Sequence, residues 1–154
     1  MFKQRHSYHR LWYHLVFHTK NRERLLLGQE DVSFLFGMMK KKAHDLDVYI
    51  ESFGGWKEHV HVLLRTGPTL PLCEIYRQLK GYSAAKWRRL DRDRPFKWGD
   101  GAFAITVDPD RCDGLRRYIR EQWYRHDDGD VVPALEREEE QGQSSWPRIS
   151  DPRR

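Results

Sequence analysis

The order in which two residue periodicities alternate along the chain is the feature that most limits its fold. Short segments rich in aromatic and β-branched residues predict strands, and longer segments with apolar residues every three or four positions predict helices. Strands are predicted at residues 11–17, 48–53, 59–64 and 102–107, and helices at residues 31–46, 72–90 and 115–126, with Gly54-Gly55 as a break after the second strand. The order β-α-β-β-α-β predicts an α+β fold of the ferredoxin-like (split βαβ) type: an antiparallel sheet with helices on one face. The opposite face is left for the last helix or for a ligand.

Charge divides the 154 residues into two parts. Residues 1–126 carry 24 Lys and Arg against 15 Asp and Glu, whereas residues 127–154 carry 4 against 8. We interpret residues 1–126 as one domain and residues 127–154 as an acidic, mostly disordered tail. The basic domain favours a polyanionic partner, although a merely soluble basic protein has the same composition.

Cysteine and hydropathy patterns indicate the compartment. Cys73 and Cys112 fit neither a disulfide framework nor a CxxC zinc site. The sequence contains no apolar stretch long enough to span a membrane, and its basic start does not continue into a signal peptide. We therefore expect a cytoplasmic protein with reduced thiols and no membrane partner.

Two histidines alternate with apolar residues in the third predicted strand. Val60, Val62 and Leu64 would face the core, so His59 and His61 would lie side by side on the other face. Two imidazoles at this spacing can bind one metal ion. The alternative is two half-exposed histidines, and the short His-x-His pattern taken alone favours that alternative.

Tyr118 and Gln122 stand four residues apart on the last predicted helix, so they share a face of it. Both could be part of the apolar stripe formed by Leu115, Ile119 and Trp123. A buried amide needs hydrogen-bond partners, however. The side-chain oxygen of Gln122 could be a third metal ligand, with Tyr118 one turn away.

Residues 76–89 interleave cations with aromatic side chains on the second predicted helix. Lys and Arg can neutralise phosphates, and aromatic rings can stack on unpaired bases. The alternative is a solvated helix face whose aromatic side chains belong to the core. The candidate DNA-binding residues are Lys20, Arg22, Arg77, Lys80, Tyr82, Lys86, Arg88 and Arg89.

Four motifs together resemble a known family. They are the His59-Val60-His61 strand, the Tyr118-Ile119-x-x-Gln122 helix, the segment Trp98-Gly99-Asp100-Gly101-Ala102-Phe103, and the opening Tyr13-His14-Leu15-Val16-Phe17-His18-Thr19-Lys20-Asn21-Arg22, with Leu79-Lys80-Gly81 as a further match. In this order they resemble the motifs of the single-tyrosine HUH transposases of the insertion-sequence-200-like family. That family includes the REP-associated tyrosine transposases. The resemblance covers residues 8–126. Glu58 departs from it, because members more often carry Asp before the first histidine.

The resemblance implies a complete mechanism. His59, His61 and Gln122 would hold Mg²⁺ or Mn²⁺, and Tyr118 would attack a phosphodiester of single-stranded DNA. The products would be a 5′-phosphotyrosine and a free 3′-OH, and the reverse step would rejoin DNA. The family often recognises hairpins and is usually a homodimer, in many members with the tyrosine helix acting in trans.

Three other functions are compatible with the sequence. One is a domesticated relative that processes chromosomal hairpin repeats with the same chemistry. Another is a catalytically silent module that binds single-stranded DNA. The third is a metal hydrolase that uses the two histidines without Tyr118, and it predicts turnover with no covalent adduct.

Overall fold

The computed structural model describes residues 8–90 and 94–136. Its strands are β1 (Leu11–His18), β2 (Tyr49–Trp56), β3 (His59–Thr66) and β4 (Phe103–Thr106), and its helices are α1 (Gln29–Asp45), α2 (Leu72–Arg89), α3 (Cys112–Arg120), α4 (Gln122–Asp128) and α5 (Pro133–Glu136). Short 3-10 turns at Lys20–Arg22 and Pro109–Arg111 precede α1 and α3. The predicted order of the first six elements is confirmed.

The four strands form one antiparallel sheet in the order β2-β3-β1-β4. The central strands β1 and β3 pair along their whole length, so that Val16 lies opposite His61 and His18 lies opposite His59. This is the predicted α+β, ferredoxin-like arrangement.

The main core lies between the sheet and the helices α1 and α2. Alternate residues of β1 and β3 point into it, and five of them are fully buried: Leu15, Phe17, Val60, Val62 and Leu64. Burial of each such side chain stabilises the fold by about 1.5–3 kcal/mol. The helical stripes of α1 and α2 cover this face, as their periodicity predicts.

The second face of the sheet is covered by α3. Trp12 and Leu63 of the strands pack there against Leu115, Tyr118 and Ile119 of the helix. A smaller core therefore forms on the face that carries the odd-numbered residues of β3.

Two boundaries differ from the predictions. Gly54-Gly55 does not end the second strand, because β2 continues through both glycines to Trp56. The last predicted helix divides in two, since Glu121 adopts φ −90° and ψ 7° between α3 and α4.

The start of the predicted acidic tail has defined structure. α4 ends at Asp128 and is capped by Gly129, whose φ of 70° suits glycine, and α5 follows. The prediction of disorder for residues 137–154 falls outside the described residues. None of the helices in the described ranges is long and apolar enough to cross a membrane.

Candidate active site

His59 and His61, which we call the histidine pair, lie side by side on the second face of the sheet. Their exposed fractions are 2% and 0%, so this face is closed rather than open. The Nδ1 atom of His59 lies 2.6 Å from Oε1 of Glu58, and that of His61 lies 2.8 Å from Nε2 of His14. Because both Nδ1 atoms contact protein partners, both Nε2 atoms are directed to one space between the sheet and the chain beyond α3.

A glycine brings α3 close to the histidine pair. Gly54 pairs with His61 across the sheet, and a Cβ added to it would lie 1.7 Å from the carbonyl oxygen of Ile119. The Oγ of Ser52 donates a hydrogen bond of 3.0 Å to the carbonyl of Arg116. The backbone of α3 therefore rests directly on β2, and only glycine fits at the closest approach.

The end of α3 and the start of α4 carry Tyr118 and Gln122. Oε1 of Gln122 lies 3.4 Å from Nε2 of His59, and Nε2 of Gln122 is 3.5 Å from the carbonyl oxygen of Tyr118. Although the helix divides between them, the two side chains still share one face. Tyr124 points away, with an exposed fraction of 63% against 4% for Tyr118.

Glu136 of α5 reaches the same space, although it was not among the predicted site residues. Its Oε2 atom lies 3.1 Å from Nε2 of both members of the histidine pair. Its Oε1 atom accepts a hydrogen bond from the Tyr118 hydroxyl. The Tyr118 oxygen also accepts a bond of 3.0 Å from the backbone N–H of Val132. One carboxylate thus connects the tyrosine to both imidazoles.

His126 is a third imidazole in the cluster, and it too was not predicted to be there. Its Nε2 atom lies 3.1 Å from Oε1 of Gln122 and 3.2 Å from Oε2 of Glu136. Its ring stacks on Trp56, with centroids 4.6 Å apart and planes 12° from parallel. Helical spacing could have indicated His126, which follows Gln122 by four residues. The sequence gave no indication that Glu136 belongs to the site, because the turn between α4 and Glu136 shows neither helical nor strand periodicity.

The electrostatics of the cluster follow from burial and from its carboxylates. Burial acts to lower the pKa of His59, but hydrogen bonds to Glu136 and Glu58 outweigh it and raise the value to about 9. For His61 burial dominates and lowers the pKa to about 4. Burial and the Glu136 carboxylate raise the pKa of Tyr118 to about 12. Burial works against ionisation of Glu136, yet its three imidazole partners strongly lower its pKa.

The donor set fits a divalent metal ion. Suitable ligand atoms of His59, His126 and Glu136 all lie within 4.8 Å of one another. The contacts of Gln122 and His61 with this group measure 3.1–3.4 Å. Neighbouring ligands of an octahedral ion with bonds of about 2.1 Å are separated by about 3 Å, so the spacing matches a common ion.

Six of the predicted DNA-binding residues are on α2, which packs on the face of the sheet opposite this cluster. Lys20 and Arg22 follow β1, and Arg22 lies close enough to Glu58 for an electrostatic interaction. Lys80 donates a hydrogen bond of 2.6 Å to the carbonyl of Gly99 and another to that of Gly101, and its burial lowers its pKa. Its ammonium group therefore holds the segment before β4. Arg77, Arg88 and Arg89 are exposed.

Two solved structures share this fold. One is a candidate transposase of Deinococcus radiodurans R1, 23% identical, which matches 80% of this chain and 98% of its own with a TM-score of 0.59. The other is a REP-associated tyrosine transposase bound to a REP hairpin, 17% identical, which matches 85% of this chain and 76% of its own with a TM-score of 0.55. No curated protein sequence gave a match.

The family itself is established by sequence. The model described as "Transposase IS200 like" matches residues 7–122, which include the histidine pair, Tyr118 and Gln122. The chain belongs to the IS200-like transposase family, as its motifs predicted. Membership implies nuclease and strand-transfer activity on DNA.

Proposed function

We propose that the protein cuts and rejoins single-stranded DNA through a covalent bond to Tyr118. The observation that carries this proposal is the shared carboxylate: the Tyr118 hydroxyl and the imidazoles of the histidine pair contact the same Glu136 side chain. A nucleophile and a cluster of candidate metal ligands therefore lie one side chain apart.

The proposed reaction is a transesterification. The phenol oxygen of Tyr118 attacks phosphorus, the bond from phosphorus to the 3′ oxygen breaks, and that oxygen leaves as a 3′-OH after taking a proton. The histidine pair and Gln122 would hold Mg²⁺ or Mn²⁺, which would supply Lewis-acid stabilisation of charge on the phosphate and on the leaving oxygen. The 5′-phosphotyrosine conserves the bond energy, so attack by another 3′-OH rejoins DNA without ATP.

The phenolic proton needs an acceptor. The hydrogen bond from Tyr118 gives it a route to Oε1 of Glu136. With the pKa of Tyr118 raised to about 12, the proton stays on the tyrosine in the arrangement described. Arg125 lies over the ring, 4.8 Å from its centroid, and favours the phenolate once the proton has gone.

The substrate in this proposal is single-stranded DNA that carries a hairpin. The second solved relative is bound to such a hairpin. The exposed Arg88 and Arg89 would contact the phosphates, and replacement of both by Ala should weaken hairpin binding and reduce its salt dependence. Unchanged binding by that double variant would remove α2 from the proposed interface.

We further propose that a homodimer forms and that each chain uses its own tyrosine. Tyr118 already lies beside the histidine pair of the same chain. A mixture of the variants His61→Ala and Tyr118→Phe should therefore stay inactive. Cleavage restored by mixing would instead show action in trans.

The decisive experiment seeks the covalent adduct. Single-stranded oligonucleotides that tile both strands of the DNA flanking the gene are incubated with the protein and Mn²⁺, then separated on a denaturing gel. Tyr118→Phe, which keeps the ring, should lose both the adduct and strand cleavage. The matched variant Tyr124→Phe should keep them, since that side chain is exposed. An adduct that persists in Tyr118→Phe refutes the mechanism, and turnover without any adduct favours a metal hydrolase.

A further inference from the structure

His126 and Glu136 lie in one cluster with the histidine pair. The predicted ligand set would fill only part of the coordination of a metal ion bound there. The His-x-His strand and Gln122 supply three ligand atoms, whereas an octahedral ion accepts six. Both additional residues follow Gln122 in sequence, outside the family match that ends at residue 122. The arrangement of their ligand atoms indicates what they do there.

The Oε2 atom of Glu136 is nearly equidistant from three imidazole nitrogens. Its distances to Nε2 of His59, His61 and His126 are 3.1, 3.1 and 3.2 Å. Ligands on adjacent positions of an octahedral ion have about this spacing when the metal–ligand bonds are about 2.1 Å. Oε1 is occupied by the Tyr118 hydroxyl, so the carboxylate has one oxygen for the nucleophile and one for the cluster.

The imidazole rings are held in orientations that suit metal binding. The Nδ1–H of His59 can donate to Glu58 at 2.6 Å, which directs its Nε2 atom toward the cluster, where it can bind a metal ion once it has lost its proton. His126 is fixed between Trp56, on which it stacks, and His59, which it meets edge to face at 4.9 Å. The Nε1–H of Trp56 donates in turn to Asp127 at 3.4 Å. The aromatic contacts thus direct Nε2 of His126 toward His59, Gln122 and Glu136.

We propose that His126 and Glu136 are further ligands of the ion bound by the histidine pair and Gln122. The complete site has three imidazole nitrogens, one carboxylate oxygen and one amide oxygen. This proposal rests on the proposed function for the existence of the ion, and it adds the ligands and the choice of metal.

The donor set selects the metal. Mg²⁺ favours oxygen ligands and retains several waters, so three imidazoles suit it poorly. First-row transition ions accept imidazole nitrogen, and Mn²⁺ is the one closest to Mg²⁺ in its behaviour at carboxylate sites. The ligand set therefore favours first-row transition ions such as Mn²⁺ over Mg²⁺, which would be a weak substitute.

Mn²⁺ binding to the full chain tests the proposal without any use of activity. Electron paramagnetic resonance counts free Mn²⁺ during a titration of the protein and its variants. His126→Ala and Glu136→Gln should each bind Mn²⁺ about tenfold to hundredfold more weakly than the unchanged protein. The matched variants His44→Ala and Glu121→Gln, both outside the cluster, should bind it normally. Mg²⁺ at about tenfold excess should displace little Mn²⁺.

A second spectroscopic readout separates a ligand from a structural neighbour. Electron spin-echo modulation of bound Mn²⁺ should show three coupled imidazole nitrogens, and two in His126→Ala. Circular dichroism of each variant in EDTA checks that it folds. His126 is partly exposed and belongs to a short helix, so its removal should leave the sheet and its main core intact.

Two results would overturn the proposal. If Glu136→Gln binds Mn²⁺ as tightly as the unchanged protein or more tightly, the carboxylate is a counter-ion that the metal displaces. If His126→Ala keeps three coupled nitrogens, the imidazole is not a ligand. Failure of the proposed function is distinct from both, because it would appear as an adduct in Tyr118→Phe while Mn²⁺ binding stayed normal.

Discussion

The two faces of the sheet are built from the same strands and have opposite chemistry. On the face covered by α1 and α2, successive inward residues of β3 are Val60, Val62 and Leu64, all fully buried among apolar side chains. On the other face the neighbours of these residues are His59 and His61, buried just as deeply among imidazoles and carboxylates.

The difference shows how a strand with period two can separate stability from chemistry. The apolar face gains free energy from burial, whereas a buried polar face costs free energy unless every group has a partner. The imidazoles meet that requirement through Glu58, His14 and Glu136. Substitutions on the polar face should therefore mainly reduce activity, and substitutions on the apolar face should mainly reduce stability, although the residues are adjacent in sequence.

The largest contrast is expected between His61→Ala and Leu64→Ala. Loss of His61 removes a proposed ligand, so metal-dependent cleavage should fall below detection. The unfolding free energy should fall by about 1–3 kcal/mol, because the buried His14 loses its hydrogen bond to His61. Loss of Leu64 should cost about 2–5 kcal/mol of unfolding free energy, with activity retained in the folded fraction. Gel cleavage assays and urea unfolding measure the two effects. Substantial cleavage by His61→Ala in the presence of EDTA would contradict the contrast.

A smaller contrast is expected between two glycines. Gly54→Ala places a methyl group where the carbonyl of Ile119 now lies, so α3 must move and carry Tyr118 with it. A displacement of about 1 Å should reduce the cleavage rate about 100-fold. Gly37→Ala on α1 meets open space and should raise stability by about 0.5–1 kcal/mol, with normal activity. Equal rates for the two variants would show that the contact with α3 does not position the tyrosine.

Sequence reasoning predicted the regular parts of both faces. Alternation in β3 separated Val60 and Val62 from the histidine pair, and helical spacing placed Tyr118 with Gln122. It failed where a contact depends on an irregular backbone. Gly54-Gly55 was interpreted as a break in the strand. The sequence alone cannot show that the backbone of α3 packs so closely on β2 that only glycine fits there. The apolar stripe of the last predicted helix likewise gives no indication that the helix divides into α3 and α4.

The missed residues illustrate the same limit. Composition assigned Glu136 to an acidic tail, and charge counting cannot distinguish a solvated carboxylate from one directed into a cluster. Its position depends on the turn at Gly129 and on the bond from Val132 to the Tyr118 oxygen. His126 has helical spacing from Gln122, but a histidine near the end of a helix also has an ordinary role beside the helix dipole.

The smallest expected effect is a pH dependence of stability that arises from the polar face alone. Between pH 4 and 6.5 the unfolded chain binds the proton that the buried His61, with its pKa lowered to about 4, cannot hold, so stability rises with pH. Between pH 6.5 and 9 the native state keeps a proton on His59, whose pKa is raised to about 9, so stability falls as pH rises. In EDTA the melting temperature should thus peak near pH 6.5 and decline by on the order of 5 °C toward pH 9.

The variant His59→Gln should lack this decline in melting temperature, and saturating Mn²⁺ should remove it, because a bound ion favours the deprotonated imidazole. A metal-free melting temperature that is flat from pH 6.5 to 9 would mean that His59 is neutral beside Glu58 and Glu136, and that the carboxylates do not hold the charge described here.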